Sequence, residues 1–193
     1  MEEKPALSAD EILKVEYEYI ANTAFQANED RARFSSFYFI SVGSLVAAIL
    51  GTQFSADNLK SVAILFFLLF LVMTGLGALT MAELARLRSA WHESVQAMNQ
   101  VKDFYLKHHP ELEPAFKWRG STIPPTNKRY SIANLIAVEV ALLGSLTSAA
   151  AVYFLLLGMT DILWWGWVLS GLALPVGYAL LWGVYRKLLV DDR

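Results

Sequence analysis

One carboxylate stands alone inside a long apolar run: Glu139, with Leu135, Ile136, Leu142 and Leu143 around it at helical spacing. A carboxyl group in hydrocarbon must be protonated, partnered or open to water, so such a residue either fixes packing or passes ions and protons. It lies eight residues beyond Ser131, about 12 Å at the rise of an α-helix. The same depth in the other apolar runs reaches Ser41, Thr74 and Tyr178, whose hydroxyls are expected to form an intramembrane polar layer with it.

Other residues that could do chemistry lack the company they need. His92, His108 and His109 are the only histidines, and the adjacent pair would point about 100° apart on a helix, with no ligand set beside them. Cysteine is absent, which removes disulfides, thiolate metal sites and Cys nucleophiles. Arg86 or Arg88 followed by His92 has the spacing of helical ribonuclease domains, but a helix leaving a membrane is a poor place to admit RNA. Val176, Gly177 and Tyr178 match part of a potassium-channel filter, yet they lie after Pro175 inside a continuous apolar run and not in a re-entrant loop. We therefore expect no catalytic residues, no metal and no cofactor. A net charge of -2 gives no reason to expect a nucleic-acid partner.

The elements that position these residues are set by hydropathy. The chain is 55% hydrophobic, with a mean hydropathy of +0.39. Four nearly uncharged runs, at 34–56, 61–82, 130–160 and 162–185, each reach the ~20 apolar residues a helix needs to cross a ~30 Å hydrocarbon core. Every Lys and Arg except Lys60 falls outside the two short turns at 53–60 and 158–161. The positive-inside bias then predicts that both termini and the central segment are cytoplasmic. Glu2, Glu3, Asp10 and Glu11 give the start an acidic character unlike a cleavable signal peptide, so the first span is expected to stay as an anchor. Trp164, Trp165 and Trp167 cluster where the fourth span begins, as interface anchors do.

Polar helices should extend the first two spans. Ser8 and Glu11 fit a capping box. No Gly or Pro interrupts the chain from Ala6 until Gly43, so one helix should run from the polar segment into the first span. Beyond Thr80 the chain again lacks Gly and Pro as far as His109, and Leu84, Leu87, Trp91 and Met98 form an apolar stripe that wants a partner helix. The helix before the first span is the nearest one. Pro110, Pro114, Gly120, Pro124 and Pro125 keep the linker from forming a long helix, and Phe116 and Trp118 should fold it back onto the stalk or the membrane surface.

The expected fold class is an all-α membrane protein of four transmembrane helices in two hairpins, the first two spans extended into a cytoplasmic antiparallel helical stalk. Its parts are a cytoplasmic amphipathic helix (1–33), a first hairpin (34–82), a stalk helix with its Pro-containing linker (83–129), a second hairpin (130–188) and a short tail (189–193). The function expected is non-enzymatic: assembly of a homo-oligomer, or docking of a cytoplasmic protein partner on the stalk, in a bacterial inner membrane. In architecture alone the chain resembles the small helical membrane effectors found beside bacterial immunity genes. The alternative is an oligomeric channel or membrane-perturbing pore or effector in which the Glu139 layer faces the water path.

Overall fold

The computed structural model describes residues 8–51, 58–160 and 164–189. Among these there is no strand. Four long helices carry the fold: α1 (Ala9–Leu50), α2 (Leu59–His108), α3 (Ile132–Met159) and α4 (Trp164–Leu188). Short 3-10 turns at Pro110–Ala115 and Gly120–Thr122 lie between α2 and α3. Each of the four helices is long and apolar enough to cross a membrane. The expected turns at 53–60 and 158–161 lie partly outside the described residues, as does the tail beyond Leu189.

α1 starts where the sequence says it should. The Glu11 amide donates to the Ser8 hydroxyl at 3.2 Å, and the Ser8 amide donates to the Glu11 carboxylate at 3.0 Å. That amide holds the Glu11 carboxyl below its ordinary range. With no breaker in its first turns, α1 runs for 42 residues, about 63 Å, or twice the thickness of a bilayer core. α2 runs for 50 residues and stops at His109, just before Pro110.

α1 and α2 lie antiparallel. The Tyr105 hydroxyl donates to Asp10 at 3.3 Å at one end, while Leu45 and Ile49 pack with Phe66 and Phe70 at the other. Ala24, Ala27, Arg31, Ser35, Tyr38 and Val42 form the buried face of α1, at three-and-four spacing. α3 lies along α2, with the Phe154 ring stacked 5.6 Å from Phe70. α4 covers α3, where Gly177 meets Ser145 and Ser148.

The linker folds back on α2. The Arg88 guanidinium donates to the carbonyls of Thr126 at 3.0 Å and Pro125 at 3.2 Å, and Lys102 donates to the Trp118 carbonyl at 3.4 Å. This changes which face of α2 is covered. Leu84 is buried as expected, but Leu87, Trp91 and Met98 are only half-buried, whereas Arg88, Ser89, His92 and Asn99 are buried. An apolar stripe marks the face that prefers to leave water. It does not reveal a polar face that a linker will cover, with carbonyls that accept from Arg88.

Candidate functional site

Hydroxyl groups do meet inside the bundle, but not the set counted from the sequence. The Thr74 and Thr147 hydroxyls are 3.0 Å apart and join α2 to α3. Each is also in contact with a carbonyl of its own helix, Phe70 at 2.9 Å and Gly144 at 2.8 Å. Two hydroxyl protons serve three contacts, so one proton is shared or one contact is made without a proton. The fully buried Tyr38 of α1 enters this level from the third side. A Cβ on Gly77 would lie 2.7 Å from its hydroxyl oxygen and one on Gly144 would lie 3.3 Å from it, so the phenol occupies a notch made by two glycines. The hydroxyl lies beside Thr147, outside hydrogen-bonding geometry with any described residue.

Glu139 is on the outside. It is exposed, on the same face of α3 as Leu135, Leu142 and Leu146, which are 47%, 52% and 55% exposed. Among the described residues it has no hydrogen-bond or ion-pair partner. Ser41 donates to the Phe37 carbonyl of its own helix at 2.8 Å, and Tyr178 stacks on Trp182 with centroids 6.0 Å apart. Glu139, Ser41, Thr74 and Tyr178 thus do not meet in one hydrogen-bonded layer within a single chain. Thr74 meets Thr147, eight residues or about 12 Å along α3 from Glu139, so counting from the helix ends fixes neither a common level nor the direction in which each residue faces.

At the end where α3 begins and α4 ends, charge collects. Arg31 and Arg88 are both buried and close enough for their charges to interact, with Tyr185 beside them. One Arg31 nitrogen donates to Asn28 at 2.7 Å, while its Nε is buried without a partner. Arg88 also lies 4.5 Å from the centre of the Trp91 ring. By sequence both arginines count among the topogenic charges, and their burial is not evident there. Small residues (Ala24, Ala27 and Ser35) bracket Arg31 on the same face of α1, and that is the one local hint.

The remaining expected positions lie apart from these. Trp164 and Trp167 are exposed and Trp165 half-buried at the opposite end of the bundle. There Tyr153 packs on Trp167 with centroids 4.9 Å apart. His109 pairs with Glu111 at 3.1 Å on an exposed turn. No protein-family model, curated protein or solved structure matches this chain.

Proposed function

We propose that this chain is a non-enzymatic membrane protein that assembles with copies of itself across the outer face of α3, in a bacterial inner membrane. Both termini are cytoplasmic, and the polar halves of α1 and α2 form a cytoplasmic antiparallel stalk that serves assembly or docks a protein partner. The observation that carries this reading is the exposed Glu139 among exposed leucines. A carboxyl group turned to lipid costs several kcal/mol, whereas the same group against a second copy can share a proton or a hydrogen bond. Glu139→Gln keeps a donor and should leave the oligomer intact. Glu139→Lys, with a permanent charge, should shift purified protein toward monomer by size-exclusion chromatography with light scattering. An oligomer unchanged in the Lys variant, or a wild type that is already monomeric in mild detergent, would remove the α3 face from the interface.

The channel reading draws on the same observation, because an unpartnered carboxyl group on a symmetric interface can line a shared water path. In planar bilayers, a wild-type conductance whose cation selectivity falls in Glu139→Gln would favour the pore. No conductance at any pH would leave the scaffold. Orientation is checked with single cysteines in this cysteine-free chain. Asn58→Cys is expected to react with an impermeant maleimide on intact cells and Ser121→Cys only after lysis; the reverse pattern would invert the topology.

A further inference from the structure

A cleft of about 290 Å³ lies where α3 begins and α4 ends, lined by Arg129, Arg186, Asn127, Asn134, Trp182 and Tyr185 among others. No Asp or Glu is among the lining residues. Arg129 and Arg186 are exposed, and among the described residues neither has a hydrogen-bond or ion-pair partner. Behind them, the buried Arg31 and Arg88 add positive charge within reach of Tyr185. Among the described residues, two guanidinium forks and two side-chain amides present donors without a balancing anion. Planar guanidinium groups match the oxygens of a phosphate or a carboxylate in pairs, so the arginines select an anion.

One wall points to the source of that anion. Tyr178, Trp182 and Tyr185 form a ladder along α4, with successive ring centroids 6.0 and 5.4 Å apart. Trp182 and Tyr185 line the cleft, and Tyr178 continues the ladder toward the apolar middle of α4. A soluble phosphate would use the arginines and leave the ladder idle. A headgroup in the cleft would lay its glycerol and acyl chain along it. We propose that this cleft binds a phosphodiester-bearing anion, supplied as the headgroup of an anionic phospholipid in the adjoining leaflet. Arg129 and Arg186 hold the phosphate, and Trp182 and Tyr178 carry the chain.

Lys128 and Lys187 provide the control, since they neighbour these arginines in sequence but do not line the cleft. The experiment titrates detergent-purified, delipidated full-length protein with phosphatidylglycerol, phosphatidylcholine or glycerol 3-phosphate, and reads bound ligand by native mass spectrometry. Wild type is expected to bind one phosphatidylglycerol in preference to phosphatidylcholine. Arg129→Gln with Arg186→Gln should weaken it by roughly tenfold or more, the loss of at least one charge-assisted hydrogen bond. Lys128→Gln with Lys187→Gln, at the same net charge, should weaken it less than twofold. Equal losses in the two pairs, or no preference for phosphatidylglycerol, would reduce the arginines to diffuse basic charge and overturn the site. Glycerol 3-phosphate binding as tightly as phosphatidylglycerol would reject the lipid as its source. Circular dichroism of both pairs checks that the fold is retained, and the outward-facing side chains of all four residues make that the expected result.

Discussion

Gly77→Leu is expected to destabilise the bundle by about 3 kcal/mol, the upper part of the range for forcing extra carbons into a packed interior. The same change at Gly75 should be close to neutral. Both glycines lie within α2, so the loss of glycine favours the helix equally at each. The difference lies in what the new side chain meets. A Cβ at Gly77 would stand 2.7 Å from the Tyr38 hydroxyl oxygen and 3.1 Å from its Cζ, whereas nothing lies within 4 Å of one at Gly75. Thermal unfolding in detergent should show a large drop for the first and a small change for the second. The Tyr38 hydroxyl lies outside hydrogen-bonding geometry with any described residue, so Tyr38→Phe should itself cost little. In that background Gly77→Ala should be better tolerated, as a positive coupling in a double-mutant cycle. If Gly77→Leu and Gly75→Leu melt alike, the three-helix contact at Tyr38 does not exist in solution.

The second large effect is expected at Arg88. Arg88→Ala removes two hydrogen bonds from a charged donor to the carbonyls of Thr126 and Pro125, and a cation-π contact with Trp91. Bonds of this kind contribute about 1.5–3 kcal/mol each. Removing the guanidinium also relieves its own desolvation and its repulsion of Arg31, which opposes the loss. A net loss of about 2 kcal/mol in the attachment of the linker is the expected balance, or roughly thirtyfold in its opening equilibrium. Trypsin reads this directly, because Lys117, Arg119 and Lys128 all lie in the linker. Cleavage there should accelerate by about that factor in Arg88→Ala. Arg88→Lys, which cannot present two forked donors, should fall between. Unchanged cleavage would mean that the linker is held by other contacts, and that burial of Arg88 adds little.

These two sites bear on the proposed function from opposite sides. Tyr38 and its glycine notch fill the interior of one protomer, together with the Thr74 and Thr147 pair. A water path through a single copy would have to displace them. Arg88, by contrast, joins the polar half of α2 to the segment that leads into α3.

The helices and their lengths were legible in the chain alone. Twenty-residue apolar runs, a Ser8 cap and the absence of Gly and Pro across the junctions are local properties, and each residue adds about 1.5 Å along an axis. Counting put Ser41, Thr74, Glu139 and Tyr178 at one level, but Thr74 meets Thr147, about 12 Å along α3 from Glu139. Which way each of them faces came from the packing of the helices against one another. In water a helix buries its apolar side, so pattern predicts direction. In lipid every side is apolar, and the inward face is chosen by close packing of small residues and by a few hydrogen bonds. Gly77 and Gly144 turn one face of α2 and one of α3 toward Tyr38, and that rotation leaves Glu139 outside. Arg31 and Arg88 are buried for a related reason. Linker carbonyls distant in sequence offset the cost of taking Arg88 out of water, while Arg31 is covered by packing of the helices and bonds Asn28 on its own helix.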